Sequence, residues 1–226
     1  MRLLLALVSA ALITAACEEE PTDEPDGSAS PTTESQQTPE PTTEATTEPS
    51  PAPTPAPAPV ELSGVGQTAT DAVTPPCSVC RVALTHSGSS NFAVTTFRGS
   101  EQDLMVNEIG AYQGNRPIFG EAPVVFDIDA DGAWTIRIEG VGAGAQTPFS
   151  GRGDAISDLF EPPDSGPWEF AHDGQANFAV LLHCAGGQDL IQNEIGPVSG
   201  SSVVGFSDGP CLREVEADGN WSLTPR

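Results

Sequence analysis

The sequence predicts an all-β protein built from two tandem antiparallel β-sandwich modules. A duplication is the first sign, because Asn-Phe-Ala-Val at 91–94 and Asn-Glu-Ile-Gly at 107–110 recur 86 residues later, at 177–180 and 193–196. The second sign is an alternation of apolar and polar residues in short runs that Gly, Pro, Asn and Asp interrupt, which is typical of strands. The third is that no long stretch repeats its apolar positions every 3.6 residues, as an amphipathic helix would.

A repeat of this length indicates duplicated domains, because each copy is long enough to close a small core of its own. We expect the first module at 61–140 and the second at 148–226, with a joint rich in Gly, Ala and Gln between them. Both copies open on Ser-Gly-x-Gly, and both place a tryptophan near their end, Trp134 in the first and Trp221 in the second.

Residues 1–16 are predicted to be a cleaved signal peptide. Arg2 precedes an apolar run that is too short to cross a bilayer comfortably and that ends in small residues. The segment Ile-Thr-Ala-Ala-Cys at 13–17 resembles the cleavage site of bacterial lipoproteins. The resemblance implies cleavage before Cys17, lipid chains such as palmitate on Cys17, and anchoring at the extracytoplasmic face of the cell membrane. An ordinary secretory signal, with Cys17 downstream by chance, is the alternative.

Residues 17–60 are predicted to form a disordered linker. Between positions 18 and 59 the chain has eleven of its 22 prolines, ten acidic residues and no basic residue. Such a segment has too few apolar side chains to offset the entropy lost on ordering. At about 3.1 Å per residue in polyproline II conformation, it would reach on the order of 130 Å. We therefore expect a stalk between the membrane and the modules.

The last two strands are the best-defined elements of each copy, because apolar residues occupy every second position on both sides of an Asp-Gly dipeptide. We predict a hairpin whose three-residue loop at 131–133 places Ala130 opposite Trp134 and Asp127 opposite Arg137. This register turns the apolar side chains of both strands toward the core, whereas a shift by one residue would turn the acids there. The second copy predicts the same hairpin.

Three motifs suggest a family type: the Ser-Gly-x-Gly opening, a His-x-Gly-x-x-Asn-Phe strand entry that starts at His86 and at His172, and a closing Asp-Gly-x-Trp. Together they resemble small secreted bacterial β-sandwich modules of the pre-peptidase C-terminal type, which are jelly rolls. The resemblance covers both copies, about 165 residues. It implies an accessory or binding module on an exported protein, and it carries no catalytic residues over to this chain.

Four cysteines follow Cys17, and their even number favours disulfides in an oxidising compartment. Cys184 and Cys211 both occur only in the second copy, as expected of a pair. Cys77 and Cys80 are expected to pair within the first module. Two alternatives remain open for the Cys-x-x-Cys run. A redox motif should open a helix, and half of a zinc site would need thiolates that stay reduced.

The repeated Asn-Glu-Ile-Gly segments are predicted to be loops. A structural role explains them well, since Asn side chains hold turns and Gly provides positive φ. In the functional alternative, amide and carboxylate groups bind sugar hydroxyls beside an aromatic ring. The candidate ligand-contacting residues are Asn107, Glu108, Tyr112, Asn193 and Glu194. A concave aromatic patch of Tyr112 and Phe119 would favour this alternative.

Asp127, Asp129 and Asp131 match the first half of a calcium-binding loop. Ile138 stands at the twelfth position, however, where such a loop requires a bidentate carboxylate. We therefore expect these acids on a solvated strand face, as we do for Glu214 and its neighbours in the second copy. A weak cation site is the alternative, and no cofactor is expected.

The chain carries a formal charge of −24, from 32 acidic residues and eight arginines, with no lysine. This charge repels nucleic-acid phosphates, so no nucleic-acid partner is expected. An enzyme is the least favoured class, because His86 and His172 occupy equivalent repeat positions and His183 has no evident nucleophile beside it. We predict non-catalytic binding or adhesion modules for an envelope glycan or protein. A structural spacer or envelope-assembly subunit is the alternative, and a hydrolase is the remote one.

Overall fold

The computed structural model describes residues 56–162, 165–206 and 209–226. These residues form strands connected by turns, and none of them belongs to a helix that could cross a membrane. The predicted signal peptide at 1–16, the lipidation of Cys17 and nearly all of the linker at 17–60 lie outside the described residues. The all-β prediction is confirmed.

Module 1 consists of eight strands in two antiparallel sheets. Sheet 1A has the order β1-β8-β3-β6, and sheet 1B has the order β2-β7-β4-β5. The strands are β1 (Val60–Val65), β2 (Thr68–Ala69), β3 (Val79–His86), β4 (Asn91–Arg98), β5 (Glu101–Ile109), β6 (Tyr112–Phe119), β7 (Val125–Ala130) and β8 (Ala133–Gly140).

Module 2 repeats this plan with two additional short strands. Sheet 2A has the order β10-β18-β13-β16, and sheet 2B has the order β15-β14-β17-β12-β9, with β11 also paired to β17. The joint between the modules contributes β9, which pairs in parallel with β12. The strands are β9 (Ala143–Gly144), β10 (Phe149–Arg152), β11 (Ala155–Ile156), β12 (Leu159–Phe160), β13 (Gly166–His172), β14 (Asn177–Cys184), β15 (Gly187–Ile195), β16 (Val198–Val204), β17 (Cys211–Ala217) and β18 (Asn220–Pro225).

Each module encloses its own apolar core between its two sheets. The alternation in the sequence correctly predicts which side chains enter it. Phe126 and Ile128 of β7 and Ile136 and Ile138 of β8 are all buried, and the residues between them on β7 are exposed. In module 2 the core is again built from alternate positions of facing strands, with Trp168, Phe178, Leu182, Val215, Trp221 and Leu223 among its members.

The predicted hairpin between the last two strands is wrong. β7 pairs with β4 and β2, whereas β8 pairs with β3 and β1, so the segment at 131–132 crosses from one sheet to the other. β17 and β18 are separated in the same way. Asp127 consequently lies opposite Thr95, and Arg137 lies opposite Ala83. Alternation identifies the buried face of a strand. It does not show whether two consecutive strands are neighbours in one sheet or lie in two sheets that face each other across the core.

The carboxylate of Asp131 stabilises this crossing. Its Oδ2 accepts the backbone N–H groups of Ser89 and Ser90, each at 3.1 Å, and these hydrogen bonds lower the pKa of Asp131. Oδ1 lies 3.2 Å from Nε2 of His86, without a well-directed hydrogen bond, and the buried imidazole stacks on Phe92 at 4.6 Å between ring centroids. The crossing in module 2 has the same arrangement, in which Asp218, His172 and Phe178 take these places.

The Ser-Gly-x-Gly opening of each copy is explained by its tryptophan. The indole of Trp134 lies so close to Gly64 that a Cβ there would be 2.4 Å from Cζ2. Its Nε1 donates to the carbonyl oxygen of Gly66 at 3.0 Å, and Gly66 has a φ of 72°. Trp221 makes both contacts in module 2. The first glycine therefore gives the ring room, and the second allows the left-handed turn.

Both predicted disulfides are present. Cys184 ends β14 and lies directly opposite Cys211, the first residue of β17, so this bond joins two neighbouring strands of sheet 2B. Cys77 and Cys80 are bonded to each other at the start of β3.

Candidate functional site

A cleft of about 550 Å³ lies between the two modules, and we call it the intermodule cleft. Module 1 contributes the end of β4 together with β5 and β6, the edge strands of its two sheets, and module 2 contributes the outer face of sheet 2B. The cleft combines cations, carboxylates and one aromatic ring. Its main polar and aromatic lining residues are Arg98, Glu101, Asp103, Arg116, Phe119, His183, Gln188, Glu214 and Glu216.

Arg116 is the central cation of the contact between the modules. From β6 its guanidinium reaches three carboxylates of module 2. Nη2 lies 2.6 Å from Oε1 of Glu216, Nε lies 3.3 Å from Oε1 of Glu214, and Nη1 lies 3.9 Å from Oδ2 of Asp154. Burial alone would lower the pKa of Arg116, but the three carboxylates outweigh it and raise this pKa. The side chain is therefore a permanently charged clamp between the modules.

Glu214 is buried, although the sequence predicts a solvated face for it. Module 1 covers this part of sheet 2B, and Glu214 offsets its lost hydration by accepting two charge-assisted contacts, from Arg116 and from Nε2 of His183 at 2.6 Å. The prediction for Glu214 is therefore wrong. The alternation of apolar and polar residues shows which side chains point away from the core of their own module. It does not show which of these side chains the other module covers.

Tyr112 forms a second link across the contact. Its hydroxyl donates to Oδ2 of Asp154 at 2.8 Å, and its ring packs against Phe92 at 5.6 Å between centroids. Burial, followed by the charge of Asp154, raises the pKa of Tyr112. The backbone N–H of Asn115 also donates to the carbonyl oxygen of Asp154 at 3.0 Å. Tyr112 thus serves the module contact, and its hydroxyl is already engaged.

Phe119 provides the exposed aromatic surface of the cleft. Its side chain is 39% exposed, and its ring lies 5.0 Å from the imidazole of His183. The aromatic patch of Tyr112 and Phe119 that would favour glycan binding does not form, because these residues stand at opposite ends of β6. Arg98 donates to the carbonyl oxygens of Phe119 and Gly120, and it holds this end of the strand against β4.

The repeated Asn-Glu-Ile-Gly segments are strand ends, not loops. Asn107 and Glu108 are exposed residues of the edge strand β5, and Asn193 and Glu194 are their exposed counterparts on β15. None of these four side chains lines the intermodule cleft. Although Glu108 is exposed, partial desolvation, followed by the charges of Asp154 and Asp218, raises the pKa of its carboxyl group.

A structural reason for these repeated segments lies in their glycines. Gly110 ends β5 with a φ of 91°, and its carbonyl oxygen lies 2.7 Å from Nδ1 of His86. Gly196 has a φ of 86° and makes the same contact with His172 at 3.0 Å. The two motifs that recur most clearly in the sequence, the strand-entry histidine and the Asn-Glu-Ile-Gly segment, are therefore the two halves of one structural contact.

The acidic run of module 1 does not converge on a cation. Asp127 and Asp129 are exposed on the outer face of β7, Asp129 accepts Nδ2 of Asn91 at 3.1 Å, and Asp131 binds the backbone of Ser89 and Ser90. Among the described residues, no group of three or more His, Cys, Asp or Glu side chains is arranged to hold a metal ion.

The central residue of the cleft, Arg116, is missed by sequence reasoning that looks for repetition. At the equivalent register position of module 2, opposite Trp168, stands Ser202, just as Arg116 stands opposite Val82. Asp154, which binds Arg116 and Tyr112, likewise has a different counterpart in module 1, where Gln67 stands at the equivalent position of the repeat. The contact between the modules is therefore formed by residues that differ between the two copies, more than by the residues that the copies share.

Comparison with known proteins adds no family to these observations. No protein-family model matches the sequence, and no curated protein matches it. The likeness of the motifs to lipoprotein signals and to pre-peptidase C-terminal modules therefore stays a prediction.

Proposed function

We propose that this chain is a lipid-anchored protein on the extracytoplasmic face of the cell membrane, and that its two sandwiches bind a neutral envelope glycan without catalysis. The observation that carries the binding proposal is the intermodule cleft with its exposed Phe119 ring. Carboxylates, guanidinium groups and an amide surround this ring, and they offer the donors and acceptors that sugar hydroxyls require. The apolar face of a sugar ring would stack on Phe119.

The arrangement of the titratable groups favours binding over catalysis. His183 is the only histidine among the cleft-lining residues, and its Nε2 is held at 2.6 Å by Glu214, which also binds Arg116. A general base must be free to take a proton from a substrate or its nucleophile. His183 instead forms part of the polar network that joins the modules.

Co-sedimentation of the protein with purified cell-wall polysaccharide tests this proposal. We expect saturable pelleting that persists in moderate salt and that does not depend on calcium. The variant Phe119→Ala removes the stacking surface and should weaken the apparent affinity roughly ten-fold, which corresponds to about 1.4 kcal/mol. Ile109→Ala is the matched control, because Ile109 is more exposed than Phe119 and lies outside the lining of the cleft.

Each outcome separates the candidate functions. Equal pelleting of Phe119→Ala and wild type would overturn the cleft as the binding site. Absence of pelleting would overturn the glycan proposal and favour the spacer alternative, which has its own support in the multiple ion pairs that tie module 1 to module 2. Pelleting that requires calcium would contradict the cation-independent site proposed here.

A further inference from the structure

A disulfide stands beside the exposed aromatic ring of the intermodule cleft. Cys77 and Cys80 are bonded to each other, and Cys80 lies directly opposite Ile118, the neighbour of Phe119. The next pair of the ladder places Val79 opposite Phe119 itself, which is the last residue of β6. The disulfide therefore lies at the start of β3, where this strand pairs with the cleft-lining end of β6.

The loop that this disulfide closes also contacts the residue after Phe119. The carbonyl oxygen of Ser78, between the two cysteines, accepts the backbone N–H of Gly120 at 2.7 Å. Gly120 has a φ of 79° and follows the end of β6, and Arg98 binds its carbonyl oxygen. Ser78 precedes the first residue of β3, so the disulfide around it fixes its carbonyl group more than strand pairing does.

The two disulfides differ in what keeps their cysteines together. Cys184 and Cys211 are partners in the ladder between β14 and β17, and Cys211 is fully buried. Cys77 is only half-buried and precedes β3, so no strand pairing holds it beside Cys80. Exposed disulfides are the more easily reduced ones. Cys77–Cys80 is therefore the bond that a reductant reaches first.

The position of this Cys-x-x-Cys run differs from that of a redox catalyst. Cys77 and Cys80 stand at the start of a strand, where no helix N-terminus stabilises a thiolate. The pair is thus suited to accept electrons from another protein and to respond to them structurally.

We propose that the Cys77–Cys80 disulfide is a redox switch for the aromatic end of the intermodule cleft, and that a dithiol protein of the thiol–disulfide oxidoreductase class reduces it. Reduction frees the carbonyl group of Ser78, so that Gly120 loses its fixed acceptor and the ring of Phe119 is no longer held for stacking. Binding in the cleft then weakens. The effect on the ligand rests on the proposed function, whereas the hold on Phe119 does not.

The exchange conserves atoms and electrons. One thiolate of the dithiol attacks Sγ of Cys77, since Cys80 is fully buried. A mixed disulfide forms, the bond between the two cysteines breaks, and Cys80 leaves as a thiolate that takes up a proton. The second thiol of the dithiol loses its proton, attacks the mixed disulfide and releases Cys77, which is protonated in turn. The dithiol ends as a disulfide, and the two cysteines gain two electrons and two protons.

Amide hydrogen exchange of the full chain, oxidised and after treatment with dithiothreitol, tests the switch without any ligand. We expect the dithiol to reduce Cys77–Cys80 at a concentration that leaves Cys184–Cys211 intact, which alkylation and peptide mapping verify. The amide of Gly120 should then exchange roughly ten-fold faster, because its acceptor is no longer fixed.

Two double variants and one amide provide the matched comparison. Cys77→Ser with Cys80→Ser should show the fast exchange of Gly120 from the start, without a response to dithiothreitol. Cys184→Ser with Cys211→Ser should still respond. The internal control is the amide of Gly110, which also follows a strand with positive φ and donates to the carbonyl oxygen of Ser90 at 2.7 Å, and whose exchange should not change.

Co-sedimentation with cell-wall polysaccharide measures the effect on the ligand. The reduced protein should pellet more weakly than the oxidised protein, by no more than the roughly ten-fold loss expected of Phe119→Ala. If the oxidised protein does not pellet, the proposed function and the effect on the ligand are overturned, while the exchange of Gly120 still decides the hold on Phe119. Unchanged exchange of Gly120 on reduction, equal pelleting of both forms, or reduction of Cys184–Cys211 before Cys77–Cys80 would each overturn the switch.

Discussion

At the scale of single residues, the crossing carboxylates Asp131 and Asp218 explain much of the duplicated sequence. Each binds two consecutive backbone N–H groups just before the strand that pairs with the one it follows, which is β4 for Asp131 and β14 for Asp218. For Asp218, burial raises the pKa, but the hydrogen bonds from Gln175 and Ala176 outweigh it and leave the pKa below its usual range. An acid in this position replaces the hydrogen bonds that a tight hairpin would supply.

We therefore expect Asp131→Asn to lower the melting temperature at neutral pH. The folded-state pKa of Asp131 is depressed, so its stabilising contribution is present above the unfolded-state pKa of about 3.9 and disappears as the pH falls through the folded-state value. The difference in melting temperature between variant and wild type should thus narrow in acid. Thermal unfolding followed by tryptophan fluorescence from pH 7 to pH 3 measures this. Asp127→Asn, on the strand that Asp131 follows, is the control, and an equal effect of both variants would contradict the role of Asp131.

Arg213 is a buried cation whose surroundings the sequence does not predict. It is buried at the position that Phe126 holds in module 1, with its guanidinium 4.9 Å from the ring centroids of Phe149 and Phe160. Nη1 donates to the carbonyl oxygen of Thr147 at 2.8 Å, and burial lowers the pKa of the guanidinium to about 10. Alternation marks this position as inward-facing, but the sequence does not show that aromatic rings provide a site for a cation there.

At the scale of elements, the fold class, the duplication and the buried faces could be predicted, whereas the strand pairing could not. Repetition and alternation are local properties, and they correctly identified β7 and β8 as amphipathic strands. Whether such strands form a hairpin or lie in facing sheets depends on the crossing at 131–132, whose stabilising contacts come from Ser89 and Ser90, about 40 residues earlier in the sequence. The intermodule cleft depends on still more distant pairs, such as Arg116 with Glu216.

The two disulfides should differ in their effect on stability. Cys184–Cys211 closes a loop with a sequence separation of 27, and Cys77–Cys80 closes one with a separation of 3. The loop-entropy relation assigns about 3.5 kcal/mol to the longer loop and about 1.5 kcal/mol to the shorter one. Denaturant unfolding of the variants Cys184→Ala/Cys211→Ala and Cys77→Ala/Cys80→Ala measures the two losses. A larger loss from the second pair would contradict this account.

At the scale of the whole molecule, the modules have separate cores and are joined by a polar contact. Arg116, Tyr112 and the backbone of Asn115 all reach module 2 from β6, and Arg81 adds an ion pair with Asp158 at 3.1 Å. Such a contact depends on complementary charges more than on apolar area. If this contact is weakened, we expect the two modules to unfold independently, because each keeps its own core.

Arg116→Gln should reveal this coupling. The change leaves the buried Glu214 without its guanidinium partner, and breaking a buried ion pair of this kind costs about 3 kcal/mol. We expect the unfolding of the modules to separate into two transitions, which Trp134 in module 1 and Trp168 in module 2 can report. Arg137→Gln is the control, since Arg137 forms exposed ion pairs that solvent screens. An unchanged single transition in Arg116→Gln would argue against the coupling.

The unequal sides of this contact also mean that the two halves of the duplication are no longer interchangeable. A chain that carried the copies in reverse order would bring Ser202 toward Asp127 and Asp129, and it would leave Arg116 at the far end without its glutamates. A third copy appended after β18 would meet the same uncharged edge of β16. The order of the two copies is thus encoded in a few surface side chains.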